Sequence, residues 1–381
     1  MTESVVEIKI EKIQDQIKYA AYFGGTEFWF LVPAQYEDML TQRADPLVYA
    51  TIFNMMRIGG KFIISGADVS KSLIDNLTVF TRIWNKLFPG EYKKIEIVAN
   101  EVPDDYRPNE TDAIMAFSGG LDASYSLYKY KTNQDNRFKI NITHAVIFLG
   151  ADVPLDDTKS FTDVFNNAKK MTDDLNVTLV PIKTNIPRST YNWSLEYMPV
   201  IVGGLALFSK KFAKCIIASA DSVCRFNRLS GSNTTTDPWL SCDNFRVISD
   251  GLEHNRTERA AVVKDWDVGM QNLRVCWRNL DKSKNCGVCE KCIRTKLNFW
   301  VNGCTHMPTM PNDLTFTELK NVKFDSAVQL LYFQETYQSY RDKLPKDWAR
   351  QLRKKIKKWN RRFGPRVHSH SFWWHLIRMK F

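Results

Sequence analysis

Along this chain the spacing of apolar residues changes character twice. Near the start, IKYAAYF and EFWFLVP flank the glycine turn GGT, which predicts a β-hairpin of aromatic and β-branched strands. DPLVYATIFNMMRIG then repeats at helical spacing and stops at a glycine pair. KFIISG reads as a short strand, SKSLIDNLTVFTRIWNKLF as a second helix and KKIEIVAN as a further strand. The polar, proline-containing EVPDDYRPNETD predicts a linker, so residues 1–105 read as a small α+β region of their own.

From Asp112 the order becomes strand, helix, strand, helix. AIMAF, HAVIFLG, VTLVPIKT and KCIIASA are solidly apolar. They alternate with the helical stretches DASYSLYKYKTN, SFTDVFNNAKKMTDDLN and MPVIVGGLALFSKKF. The second of these keeps Phe161, Val164, Phe165, Ala168 and Met171 on one side. Strands apolar at every position predict a parallel sheet covered by helices on both faces, an α/β fold over residues 106–305. Residues 222–257 break this pattern with polar, Gly/Ser/Thr-rich text that still carries aromatic residues, as expected of a segment that closes over a ligand. Residues 306–381 read as a helical extension with a basic, aromatic tail. Trp348, Leu352, Ile356, Trp359 and Phe363 recur there at helical spacing until Pro365.

A chain of 381 residues has room for two or three domains. Its longest uncharged apolar run, Met198 to Phe208, is about half of what a membrane span needs, so no transmembrane helix is expected. The opening MTESVVEIKIEKIQDQ lacks the basic and apolar regions of a signal peptide, which predicts a cytoplasmic protein. The net charge of +11 is local in origin. Residues 341–381 hold fourteen Lys or Arg against two Asp and account for all of it. The anion this implies meets the tail, not the body. An anionic membrane surface, a nucleic-acid backbone with aromatic stacking and an acidic groove on a partner protein all fit. So does a helix that docks its apolar stripe on its own domain. His368, His370 and His375 in the tail read as incidental rather than metal-binding.

Two stretches carry chemistry. In AIMAFSGGLDASYSLYKYK a strand, two glycines and a helix follow one another. Gly119 and Gly120 let successive N–H groups face one concavity, and the helix from about Asp122 adds its first-turn amides and positive dipole end. Ser118 and Ser124 offer hydroxyls to phosphate oxygens. Asp122 suits a Mg²⁺ ion or a helix cap. A plain strand-to-helix turn capped by Asp122 explains the same pattern more simply. The second stretch, VCWRNLDKSKNCGVCEKCIRTK, places Cys286, Cys289 and Cys292 two residues apart, with Cys276 or Cys304 to complete a tetrahedral zinc site. Lys284 and Lys291 lie nearby to offset thiolate charge. A ferredoxin-type cluster would need a fourth cysteine where Lys296 stands.

Strand, SGGLDAS and helix resemble the PP-loop of the N-type ATP pyrophosphatases, usual form S-G-G-x-D-S. Ser118, Gly119, Gly120, Asp122 and Ser124 fall on the motif, Leu121 takes its variable position, and Ala123 stands where a serine is usual. The resemblance implies a Rossmann-like (HUP) sheet and cleavage of ATP between the α and β phosphates. A carboxylate or carbonyl is adenylated, and a nitrogen or sulfur nucleophile then displaces AMP. Together with Cys276 and the C-x-x-C-x-x-C run, the loop resembles the 7-cyano-7-deazaguanine synthase family, a likeness covering about residues 112–303. It implies Cys276 as the fourth zinc ligand, with the zinc structural. It also implies Arg256 of NRTER reaching the ATP phosphates with Arg259 as deputy, and Gly231, Ser232 and Asp237 of SGSNTTTDP in a substrate loop.

The extra front region and the tail are more similar to synthase-like paralogues, some of them found in bacterial antiphage operons and able to act on macromolecules. The expected activity is therefore ATP-dependent, AMP-forming ligation of a carboxylate, of 7-deazaguanine type, giving an amide or nitrile or a modified protein or RNA. A homodimer is among the expected assemblies. A tRNA sulfur transferase using Cys215, Cys224 or Cys242 and a nucleotide sensor without turnover are the alternatives.

Overall fold

A computed structural model of the chain describes residues 2–104, 107, 110–132, 139–223 and 230–363. Two compact units emerge, Met1–Asn255 and Arg256–Phe381. This division differs from the one that the polar linker near residue 105 suggests.

The first unit begins with β1 (Glu3–Ile13), β2 (Gln16–Phe23) and β3 (Thr26–Pro33), an antiparallel meander. Gly24 and Gly25 both take positive φ, +57° and +73°, as a two-residue hairpin turn of this hand requires. The predicted GGT hairpin is thus present, with Phe23 opposite Thr26. There follow α1 (Asp45–Ile58), β4 (Gly60–Ser65), β5 (Val69–Ser70), α2 (Lys71–Leu87), β6 (Ile95–Val98) and β7 (Glu101–Val102). The alternating part comprises β8 (Asp112–Ala116), α3 (Leu121–Lys131), β9 (Asn141–Leu149), α4 (Thr158–Asp174), β10 (Thr178–Thr184), α5 (Trp193–Ala206), β11 (Lys214–Ala218) and β12 (Arg246–Asp250).

All but β5 and β7 join one ten-stranded, mostly parallel sheet in the order β12-β11-β8-β9-β10-β3-β2-β1-β4-β6. The chain is an α/β protein. Successive residues Ala113, Ile114 and Met115 of β8 are all fully buried, so this strand is covered on both faces. The sheet also runs straight across the linker, because β3 pairs antiparallel with β10 through Leu31 opposite Lys183 and Phe30 opposite Thr184. Asn185 continues that seam as a strand residue would: its Oδ1 accepts from Trp29 N at 2.9 Å and its Nδ2 donates to Glu27 O at 2.8 Å. On the helical side α1 meets α5 closely. A Cβ on Gly203 would lie 2.4 Å from Pro46 O, and Arg57 Nη1 donates to both carboxylate oxygens of the buried Glu196, at 3.1 and 2.9 Å. Composition alone cannot show such long-range pairing, which makes the first hundred residues an extension of the α/β sheet.

The second unit holds α6 (Arg256–Val263), α7 (Asp267–Asn272), α8 (Glu290–Trp300), α9 (Phe316–Asn321), α10 (Ala327–Tyr340) and α11 (Lys346–Phe363). Ile293, Leu297, Val301, Leu314, Leu319, Val322, Phe333, Leu344 and Leu352 form its core. The apolar stripe of the tail helix is docked there: Leu352 and Ile356 are buried and Trp348 packs on Trp300 at 5.0 Å. His368, His370, His375 and Pro365 lie outside the described residues. Among the described residues no helix is long and apolar enough to cross a membrane.

Candidate functional site

The glycine loop sits at the carboxyl end of β8. Phe117 N still donates to Val146 O at 2.8 Å, holding the chain in the sheet one residue beyond the strand. Gly119 then turns with φ +69°, and nothing lies within 4 Å of where its Cβ would be. The left-handed backbone favours glycine, whereas the space beside it would admit a side chain. Gly120 is extended at φ −83°, ψ 165° and stands at the N-cap of α3, a conformation open to any residue. Ser124 N donates to Gly120 O at 2.9 Å as the first helical bond. The amides of Leu121, Asp122 and Ala123 thus belong to the first turn, where no helical carbonyl precedes them. Asp122 is half-buried at this positive end.

The two serines diverge. Ser118 is exposed, with its Oγ 3.4 Å from Gly120 N. Ser124 is fully enclosed, and its Oγ has no hydrogen-bond partner among the described residues. Leu121 and Ala123 are buried with it.

What anchors α3 escaped the sequence reading. Asp250, the buried last residue of β12, accepts from Ser126 Oγ at 2.6 Å, Lys129 Nζ at 2.7 Å and Tyr130 OH at 2.9 Å. Burial and the Asp250 charge push the Tyr130 phenol well above its usual range. One turn earlier, Tyr125 OH meets His254 Nδ1 at 3.0 Å. The signal in the sequence was the polar trio 126, 129 and 130, spaced i, i+3, i+4 along one side of the helix.

The predicted substrate residues form an internally bonded loop. Asp237 is buried; its Oδ2 accepts from Ser232 at 2.8 Å and Ser249 at 2.7 Å, and its Oδ1 accepts from Asn233 N at 2.9 Å. Burial raises this carboxyl to about 6, against the pull of those three donors. Gly231 lies against Tyr197, where a Cβ would stand 2.6 Å from Cδ1, and its N–H donates to Ser194 O at 2.8 Å. A cleft of about 320 Å³ opens beside the loop, lined by Thr234, Asp237, Pro238, Arg246, Ser249 and Leu252 among others.

In the second unit, Arg256 opens α6 with its guanidinium 4.4 Å above the Tyr332 ring, and Arg294 lies 3.9 Å from the same ring. Arg259 is almost completely buried.

Cys276, Cys286, Cys289 and Cys292 converge, their sulfurs all within 4.8 Å of one another. The closest separations, 3.5 Å for 276–286, 3.7 Å for 276–289 and 3.8 Å for 286–292, match the roughly 3.8 Å edge of a tetrahedron with bonds of about 2.3 Å to zinc. The four cysteines can hold a metal ion such as zinc, and with four thiolates the coordination is closed. Asn285 joins the two arms. Its Oδ1 accepts from Val275 N and Cys276 N, and its Nδ2 donates to Leu273 O and Thr309 O. Gly287 turns the knuckle at φ +75° against Pro311, where a side chain would not fit. Cys289 caps α8 and places Cys292 in its first turn.

Hydrogen bonds from Cys289 and Cys292 hold the Cys276 thiol below its usual range. Hydrogen bonds with Cys276 in turn push Cys289 up to about 11 and Cys292 higher still. Four thiolates so close need a cation in order to coexist.

Cys304 stays outside the cluster and donates to His306 O at 3.2 Å. Lys296 is buried and donates to Glu318 Oε1 at 2.7 Å, and Lys284 pairs with Asp281 at 3.2 Å. Cys215 and Cys242 are buried thiols pushed far above their usual range by desolvation; Cys224 lies outside the described residues. Comparison with protein-family models, with curated proteins and with solved structures finds no match to this chain.

Proposed function

We propose that this chain is an ATP-dependent ligase of PP-loop type, which binds ATP over residues 118–124 and adenylates a carboxylate of 7-deazaguanine class. The observation that carries the reading is Gly119. Its left-handed turn, clear of neighbours, stands at the mouth of an eleven-residue helix, the geometry that aims backbone amides at an anion. Strand order supports it. Numbered from β8, the parallel strands run 3-2-1-4-5, and the loop follows strand 1, beside the point where the order reverses and where Rossmann-like (HUP) sheets take nucleotides. The cleft beside residues 231–237 offers room for the acid, along a strand two places, about 10 Å, from β8.

In the reaction a carboxylate oxygen attacks the α phosphorus, the bond to pyrophosphate breaks, and an acyl adenylate forms. A nitrogen nucleophile then attacks the acyl carbon and AMP leaves, giving an amide. First-turn amides and Ser118 would hold the phosphates, and Asp122 would hold Mg²⁺, which supplies charge neutralisation when bound. No side chain need act as a covalent nucleophile, because positioning and charge compensation can carry such a step. Zinc in the cysteine cluster would be structural.

A nucleotide sensor without turnover is the second reading. It is favoured by Ala123 at the usual serine position and by the enclosure of Ser124, which leave Ser118 as the loop's exposed hydroxyl. Sulfur transfer is disfavoured by the buried, up-shifted thiols of Cys215 and Cys242. The deciding experiment mixes the purified chain, MgATP and candidate carboxylates including 7-carboxy-7-deazaguanine. AMP and pyrophosphate in equal amounts, lost in a folded Gly119→Val variant, are expected. ATP binding without either product assigns the sensor, and no binding overturns both.

A further inference from the structure

We infer that the exposed face of α11, together with the rim of the cysteine knuckle, is a binding surface for single-stranded nucleic acid. On α11, Lys346, Arg350, Arg353, Lys354, Lys357, Lys358 and Arg361 are all exposed, and none forms an ion pair among the described residues. At about 100° per residue these seven cations fall within an arc of about 140° and extend over about 22 Å. The apolar stripe of Trp348, Leu352, Ile356 and Trp359 lies on the opposite side. Asp347 is the one acidic residue among them.

The buried stripe decides between partners. A basic amphipathic helix binds a membrane by sinking its apolar side into the acyl boundary, but here Leu352 is already in the core of the unit and Ile356 is buried. What remains is a fixed row of cations, suited to regularly spaced phosphates. An acidic protein would satisfy the same charges. The knuckle favours nucleic acid instead, because beside Cys276 it presents Trp277, 53% exposed, with the Arg278 guanidinium 5.1 Å from its ring centre. An exposed indole next to cations is a platform for a base. Both features belong to the second unit, and the knuckle is tied to α11 through the packed side of that helix. Arg278 pairs with Asp325, the neighbouring Phe324 ring meets Trp359 of α11 at 6.4 Å, and Lys355 of α11 donates to Val322 O at 2.7 Å.

The inference is independent of ATP chemistry, so its test contains no ATP. Binding of fluorescein-labelled single strands of RNA and DNA, and of the matching duplexes, is followed by fluorescence polarisation across a range of KCl concentrations. The zinc-loaded full chain should bind single strands with strong salt dependence. A triple Arg353→Gln, Lys357→Gln, Arg361→Gln variant should lower the slope of log K against log salt by about 2. Trp277→Ala should weaken single-strand binding about five-fold or more, with slope and zinc content unchanged. Equal responses to RNA and DNA strands, or a preference for either, support the surface and tell which strand it reads. No binding at low salt overturns the inference, as does an unchanged slope in the triple variant. Equally strong competition by polyglutamate assigns the face to an acidic protein.

Discussion

Lys129 Nζ lies 2.7 Å from Asp250 Oδ1, an ion pair that links the third turn of α3 to the end of β12, two strands away from β8 in the sheet. Both side chains are close to fully buried, and Ser126 and Tyr130 complete the carboxylate's hydrogen bonds. The helix whose first turn follows Gly119 and Gly120 is therefore held from its far end by Asp250, with Glu253 3.5 Å from the same ammonium.

Removing Asp250 should leave the buried Lys129 ammonium with only the more exposed Glu253, 3.5 Å away, as counter-charge. Asp250→Ala is expected to cost about 3 kcal/mol, the lower end of the range for a broken buried pair because Glu253 stays near, and Asp250→Asn less because its amide oxygen still accepts. Urea midpoints measure the loss. On the ligase reading, ATP affinity falls further than the stability change explains, since the loop amides lose their alignment.

Asp237 should make stability depend on pH in an unusual direction. Its carboxyl is raised from 3.8 to about 6 in the fold. The folded chain thus holds a proton that the unfolded chain has lost, and stability falls as pH rises from about 4 to about 6, by about 3 kcal/mol in all. Burial raises Glu196 in the same direction. Asp237→Asn, which cannot ionise, isolates the Asp237 contribution: urea midpoints of variant and wild type should converge at low pH and diverge towards neutral, with the variant the more stable.

The cysteine cluster should contain one zinc ion per chain in a colourless protein. Cys276→Ser, Cys286→Ser, Cys289→Ser and Cys292→Ser should each lower the metal content by elemental analysis, and Cys304→Ser should leave it unchanged. Acid should release the metal, because the ligands bind as thiolates. A brown, iron-containing protein would reject the zinc assignment.

Leu352→Ala tests whether α11 is part of its unit. The side chain is fully buried, so truncation is expected to cost about 2–5 kcal/mol. A helix lying free in solvent would show almost no change in the urea midpoint of the second unit.

Much of the local structure was legible from the residues. Gly24 and Gly25 specify their hairpin, Gly119 its left-handed turn, and the spacing of Cys286, Cys289 and Cys292 a knuckle, because each is settled by neighbours a few positions along the chain. The apolar stripe of α11 was equally legible as a stripe. What it faced was not: the same spacing suits a membrane, a partner or the chain's own core. Ser124 illustrates the limit. A hydroxyl two residues past Asp122 reads as a phosphate donor until α3 is packed and encloses it.

The sequence by itself determined the alternation of strands and helices, the glycine loop between β8 and α3, the cysteine spacing and the confinement of positive charge to the last forty or so residues. Only the tertiary structure decided that β3 pairs with β10 and merges the first hundred residues into one sheet. It also brought Asp250 beneath Lys129, locked Asp237 into its own loop, chose Cys276 over Cys304, and sank Leu352 into a core that leaves seven cations outside. The physical reason is common to all of these. Backbone turns and ligand spacing are fixed by covalent neighbours, whereas strand pairing and the burial of a charge depend on which distant segments meet and exclude water together.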